Sequence, residues 1–183
     1  VRGNVTLSPT LSDGATLWFT GLPSSGKTTL AHGVAKRLVD AGYDRVEVLD
    51  GDVARQHLTA GLGFSREDRS ENIRRIGWVA HLLARNGVIV LCSVISPYRS
   101  VRDEVRALHE GRFIEIYVAT PVDVCAARDV KGLYARKAAG ELETALTGVD
   151  DPYEPPAAPE ITVPTERQTV EESVEQVWRA LQQ

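Results

Sequence analysis

Nowhere in these 183 residues does an apolar run approach the roughly 18 positions that a membrane-spanning helix takes. No charged segment followed by an apolar one opens the chain, so a secretory leader is not expected. Cysteine is scarce, and Cys92 and Cys125 each sit inside an apolar run. That usage fits buried free thiols in a reducing compartment, the cytoplasm, rather than a disulfide scaffold. Positive charge is not in excess. The formal net charge of −4 and pI of about 5.6 argue against general affinity for nucleic acid or an anionic membrane. Internal repeats are lacking too. What is present is a globular balance, 43% hydrophobic and 25% charged, at the length of one domain. A chain of this size buries well over half of its unfolded surface, so its core needs no disulfide or metal.

Strand and helix patterns alternate. Strands are expected at Ala15–Thr20, Arg45–Leu49, Val88–Ser93, Phe113–Val118 and Ile161–Val163. A first helix runs from Lys27 to about Ala41, where Gly42 stops it. A short helix is expected at Val53–Leu58. A long one follows from Arg66 to Asn86, with Ile73, Ile76, Ala80 and Leu83 at helical spacing. Ser96-Pro97 reads as the N-cap and first-turn proline of a helix to Glu110, and Thr120-Pro121 repeats the signal for a helix ending near Arg128. Thr169 and Glu172 form a capping box before a last helix striped by Val170, Val174, Val177 and Leu181.

Residues 1–13 read as a polar tail ahead of one domain at 14–183. Within it, residues 129–159 are rich in Gly, Pro and charge. They read as a mobile excursion of the lid type, with a helical turn at Ala135–Ala139. Short Val/Ile-rich strands between helices imply an α/β fold. The expected form is a three-layer sandwich, a five-stranded parallel sheet flanked by helices. In such sheets ligands bind at the carboxyl ends of the strands.

One of those ends carries Gly21-Leu22-Pro23-Ser24-Ser25-Gly26-Lys27-Thr28. This fits the P-loop pattern G-x-x-x-x-G-K-[ST] at every fixed position, between a strand and a helix as the motif requires. Its backbone N–H groups form a concave anion site at a helix N-terminus. Gly21, Ser24, Ser25, Gly26, Lys27, Thr28 and Thr29 are therefore the expected phosphate-binding set. Lys27 can reach the β- and γ-phosphates, and the Thr28 hydroxyl can sit on Mg²⁺.

After the second strand come Asp50, Asp52 and Arg55. Two carboxylates there can hold Mg²⁺ through water and accept a proton from a substrate hydroxyl. The plainer reading makes Asp52 a helix N-cap. The third strand ends in Ser93, so the usual Walker-B carboxylate is missing there and the Asp50/Asp52 pair is the natural substitute. On the long helix, Arg69 and Asn72 share a face and can grip an anion, whereas Arg74 and Arg75 read equally well as solvated. Phe64 is either a hydrophobic staple ahead of that helix or a base-stacking aromatic.

Five further blocks carry a resemblance. They are Leu49 to Arg55, Gly63 to Arg75, Ser93-Val94-Ile95-Ser96-Pro97, Arg128 to Tyr134, and Pro152-Tyr153-Glu154. With the P-loop, and in this order over residues 14–183, they resemble the signature blocks of adenylylsulfate kinases. That family transfers the γ-phosphoryl of ATP to the 3′-hydroxyl of adenosine 5′-phosphosulfate (APS), giving PAPS. The resemblance implies Mg²⁺ with ATP as the cofactor, ATP and APS as the small-molecule partners, and a homodimer. Asp52 would be the base or metal organiser at the 3′-hydroxyl, and Arg55, Arg69 and Asn72 would bind the phosphosulfate. Phe64 would stack on the APS adenine, with Ile95, Ser96, Leu133 and Leu146 lining the same pocket. Lys131 would bridge both nucleotides from the lid, and Arg128 would lie against the ATP adenine.

The chain departs from the family pattern at Pro23 and Ser24 in the loop, at Ala138 where arginine is common, and at Leu146 where phenylalanine is typical. With Leu146 in that place, Phe64 carries the larger share of adenine stacking. A P-loop kinase for another small anionic acceptor, or a nucleotide-binding module without turnover, are the competing readings. The intact Lys27, Thr28, Asp50, Asp52 and Lys131 argue against the latter.

Overall fold

The computed structural model describes residues 11–183. Most of the expected 1–13 tail thus lies outside the described residues. Leu11–Asp13 form a single 3-10 turn, with Leu11 buried. Five strands follow, β1 (Ala15–Thr20), β2 (Val46–Asp50), β3 (Ile89–Ser93), β4 (Phe113–Val118) and β5 (Ile161–Val163). They pair in parallel in the order β2-β3-β1-β4-β5. The helices are α1 (Lys27–Asp40), α2 (Gly51–His57), α3 (Arg66–Ala84), α4 (Arg99–Leu108), α5 (Val122–Arg128), α6 (Leu133–Ala138) and α7 (Val170–Leu181).

Strand β1 shows why the sheet sits between two layers. Every residue of it is buried, and successive side chains point to opposite faces. Leu17 and Phe19 pack with Leu30, Ala31, Val34 and Leu38 of α1 and with Val177 and Trp178 of α7. Trp18 packs on the other side, with Ile73, Ile76 and Ala80 of α3 and Val101 and Val105 of α4. The fold is the expected α/β sandwich.

Helix α2 begins at Gly51 rather than Val53 and α6 at Leu133 rather than Ala135, and two expected caps do not form. Ser96 does not cap α4. It has a φ of 47°, and the helix begins at Arg99 with Tyr98 as N-cap. The freed Arg99 N–H is taken instead by the Glu154 carboxylate at 2.7 Å. Thr120 does not cap α5 either. Pro121 holds the N-cap position, and the Thr120 hydroxyl donates to the Ser25 carbonyl at 3.0 Å. In both cases a distant partner outcompetes the local cap. The Thr169–Glu172 capping box forms as expected.

The 129–159 excursion holds α6 and shares a small core with α5 and the P-loop, in which Tyr134 and Leu146 pack with Cys125, backed by Leu22, Leu133 and Leu142. Gly148 touches the P-loop there. A β-carbon on it would come within 2.5 Å of Leu22 Cδ2, at a φ of 90° that favours glycine. No described helix is long and apolar enough to cross a membrane.

Candidate active site

The carboxyl ends of β1, β2 and β3 meet at one edge, because Asp50 stands beside Ser93 in the ladder and Ser93 beside Phe19. Above them opens a cleft of about 1020 Å³. This is at or beyond the upper end of the roughly 300–1,000 Å³ common for a single small-molecule pocket. The P-loop forms one wall. Gly26, at φ 98°, turns the chain into α1 and leaves the first helical N–H groups facing the cleft. Ser24 also takes a left-handed φ of 61°, strained for a residue with a β-carbon. Lys27 is buried and donates to the Leu22 carbonyl at 2.6 Å and to Ser25 Oγ at 3.4 Å. Burial pulls its pKa from 10.5 to about 8, and nearby Lys131 adds to the drop.

Thr28 Oγ1 lies 2.9 Å from Asp50 Oδ2 and 2.9 Å from Ser93 Oγ. This triangle of oxygens occupies the place expected to lack a Walker-B carboxylate. Ser93 was not singled out as a participant, although its position at the strand end was the available signal. Asp50 rather than Asp52 is the N-cap of α2, because its Oδ1 accepts the N–H groups of Asp52 and Val53. The reading of Asp52 as a cap is thereby corrected. Its carboxylate is free of the helix end and pairs with Lys131 from the excursion.

The same cleft is lined by Arg55, Phe64, Arg69, Asn72, Ile95 and Ser96. Arg55 lies 4.4 Å from the Phe64 ring centroid, and Arg69 5.8 Å. Burial lowers the Arg55 pKa, and the second guanidinium at Arg69 lowers it further, as where two cations converge. Phe64 is half-exposed. Ser65 caps α3, so the staple position opposite Phe64 is Arg69, not an apolar residue. The hydrophobic staple is therefore not formed.

Arg69 is tied down more than its pairing with Asn72 suggested. It donates to the Phe64 carbonyl at 2.8 Å, to Thr147 Oγ1 at 2.6 Å and to the Ala145 carbonyl at 2.5 Å. Asn72 Oδ1 accepts from Thr59 Oγ1 at 2.7 Å. Arg74 and Arg75 take the solvated reading, in exposed pairs with Glu104 and Glu71.

Leu133, Leu146, Arg128 and Thr29 also line the cleft, but Gly21 and Ser25 do not. Ser25 is fully buried. Its N–H donates to the Leu22 carbonyl, and its own carbonyl accepts from Thr120, Arg128 and Thr165. Arg128 is held beside the loop by Thr165 as well, its Nη2 donating to that carbonyl at 2.8 Å. Thr165 and Gln168, between β5 and α7, complete that end of the cleft and were not foreseen. Two cleft hydroxyls, of Ser24 and Ser96, are buried without a protein partner among the described residues.

Known kinases resemble the chain over most of its length. The adenylylsulphate kinase family model matches residues 13–164. An adenylyl-sulfate kinase of Rippkaea orientalis is 57% identical over 170 residues, 93% of this chain and 92% of that protein. One of Halothermothrix orenii is 53% identical over 93% of this chain and 90% of that protein. Among solved structures, the Mycobacterium tuberculosis APS kinase CysC in complex with AMPPNP and APS superposes with a TM-score of 0.88. It is 41% identical, over 93% of this chain and 99% of that one. With a P-loop, an acidic strand end and a pair of arginines lining one cleft, and these matches over most of its length, the chain belongs to the adenylylsulphate kinase family.

Proposed function

We propose that this protein transfers the γ-phosphoryl group of ATP to the 3′-hydroxyl of adenosine 5′-phosphosulfate. The observation that carries the reading is that one cleft gathers the P-loop, the Asp52 carboxylate and the Arg55, Phe64 and Arg69 group. The cleft is large enough for a donor and an acceptor nucleotide together.

In this reading the loop N–H groups and Lys27 cradle the triphosphate, with Arg128 and Thr165 beside the ATP base. Thr28 Oγ1, Asp50 Oδ2 and Ser93 Oγ are hard oxygen donors of the kind Mg²⁺ takes. Thr28 would hold the ion, with Asp50 and Asp52 reaching it through water, and when bound it offsets charge on the transferring group. Asp52 accepts the proton of the acceptor hydroxyl. Lys131 leaves its pairing with Asp52 for the phosphates, which frees the carboxylate as the donor arrives. Arg55, Arg69 and Asn72 meet the phosphosulfate, and Phe64 stacks on its adenine. Ile95, Ser96, Leu133 and Leu146 close that pocket. Catalysis is then mostly positioning and charge stabilisation.

Residues 129–159 serve as the lid over a domain of 14–183. Cytoplasmic location and a homodimer complete the proposal, the first from cysteine usage and the second from family resemblance. The test is a coupled ADP-release assay with MgATP and a panel of acceptors, APS, other 5′-nucleotides and small hydroxy acids. APS should be turned over about 10⁴-fold better than any acceptor that lacks the groups this site hydrogen-bonds, the scale at which a site built for specific polar contacts discriminates. A panel in which another acceptor outruns APS refutes the assignment.

A further inference from the structure

Arg102, on α4, does not line the cleft, yet it is almost wholly buried. Its three nitrogens serve three separate segments. Nε donates to Glu115 Oε1 on β4 at 2.9 Å, Nη1 to the Ser96 carbonyl at 2.6 Å, and Nη2 to the Glu154 carbonyl at 2.5 Å. Ser96 belongs to the loop after β3, and Glu154 to the stem by which the lid returns to the domain.

Stability alone does not call for an arginine here, since well-packed apolar groups often replace a buried ion pair without loss. A planar fork with donors in fixed directions sets the relative positions of three segments at once. One of the carbonyls it holds belongs to Ser96, whose φ of 47° is sparsely populated for a residue with a β-carbon. Other bonds tie the same two segments. The Glu154 N–H donates to the Pro97 carbonyl at 2.8 Å, and the Glu154 carboxylate accepts the Arg99 N–H. Tyr153 Oη lies 3.0 Å from Thr20 Oγ1, which donates to the Ile95 carbonyl at 2.7 Å. Loop and stem thus share one hydrogen-bonded frame, and Arg102 joins it to the sheet.

We propose that Arg102 is a positioning residue for the acceptor side of the site. It holds Ile95 and Ser96 on the acceptor wall and locks the lid stem to them, without touching either nucleotide. The proposal rests on the assignment of that wall to the acceptor, so its test includes a readout that needs no turnover.

The variant is R102K, which keeps the charge but supplies one compact ammonium in place of the fork. The Kd for MgATP, measured without acceptor, should stay within about twofold, while the KM for APS rises about tenfold and kcat falls less. Amide hydrogen exchange in residues 94–98 and 153–154 should quicken together by about tenfold, with the P-loop unchanged. R106K is the control. Arg106 shares the Glu115 carboxylate at 3.1 Å but bonds neither segment, so exchange there should not move. If R102K does not fold, E115Q loosens the same guanidinium and is read by the same measurements. Faster exchange in one segment alone, a uniform rise across the sheet, or equal losses for ATP and APS each overturn the proposal. A wild type that leaves APS untouched while the exchange pattern holds defeats the acceptor assignment and spares the positioning role. An R102K enzyme with normal APS kinetics does the reverse.

Discussion

Binding of ATP should change the protonation of Lys27. In the empty site its ammonium is buried, and its hydrogen bonds go to the Leu22 carbonyl and Ser25 Oγ, both neutral. Burial, helped by Lys131, brings the pKa from 10.5 to about 8, with Cys125, Asp52 and Asp50 opposing only in part. That shift is worth about 3 kcal/mol against the charged form. A triphosphate in the loop would bring several negative charges within hydrogen-bond reach of the ammonium, beyond the partial help of Asp52 and Asp50, so the proton should return on binding. At pH 8 about half of the empty molecules lack it, and at pH 9 about nine in ten. Binding of MgATP should take up about half a proton at pH 8 and nearly a whole one at pH 9, with Kd rising about tenfold per unit above pH 8. The terminal phosphate ionises near pH 6 and contributes little there.

The assay is titration calorimetry without acceptor, in buffers of contrasting ionisation enthalpy at pH 7, 8 and 9. Lys27→Ala should lose both the proton uptake and the steep alkaline limb. The same group fixes a sign for stability. Between about pH 8 and 10.5 the unfolded chain holds the Lys27 proton and the folded empty protein does not, so raising pH favours the fold through that window. Heats independent of buffer, with a Kd flat from pH 7 to 9, would show that Lys27 stays charged in the empty site and would refute the reasoning.

Asp52→Asn should lower kcat about 10²- to 10⁴-fold while leaving MgATP affinity nearly unchanged, because the lost group acts as a base rather than a phosphate ligand. Unchanged kcat in steady-state assays would remove Asp52 from the chemistry. Phe64→Ala should raise the KM for APS by about 5- to 150-fold, the equivalent of one lost stacking contact of about 1–3 kcal/mol. Titrations of APS at saturating MgATP measure it, and a silent variant places the adenine elsewhere. His109 is buried with Nδ1 at 2.7 Å from the Val105 carbonyl, and burial lowers its pKa from 6.5 to about 4. The stability it permits is complete above pH 6.5 and falls as pH drops toward 4, by up to about 3 kcal/mol, because the unfolded chain takes the proton first. His109→Phe should flatten the Tm profile in that window, and parallel profiles for the two proteins would exclude His109 as the titrating group.

The order of strands and helices, the P-loop and its setting, and the acidic pair after β2 were all legible in the sequence. Each depends on neighbours a few residues apart, namely short continuous apolar runs, period-3.6 burial, the glycine before Lys27, and a capping box at Thr169. The resemblance blocks added Arg55, Phe64, Arg69 and Asn72 as one group, which propensity could not have located and which line the same cleft. Ser96-Pro97 shows where such local rules stop. A cap is worth about 1 kcal/mol, and Glu154, 55 residues from Arg99, supplies the alternative. Arg69 likewise looked like a free anion grip on a helix face, but residues 145 and 147, from the 129–159 excursion, each take one donor of its terminal nitrogens, and one N–H on each is left for an anion. Only the ladder that sets Asp50 beside Ser93 could show that Thr28 meets both oxygens. Nor could any window on α4 distinguish the buried Arg102 from the exposed Arg99 and the half-buried Arg106, because what distinguishes it is three carbonyl and carboxylate partners from three other segments. Local periodicity determined which elements form and which strand ends face the ligand. Tertiary structure decided which polar groups remain available to it, because a buried donor is committed by whichever distant acceptor packing brings within reach.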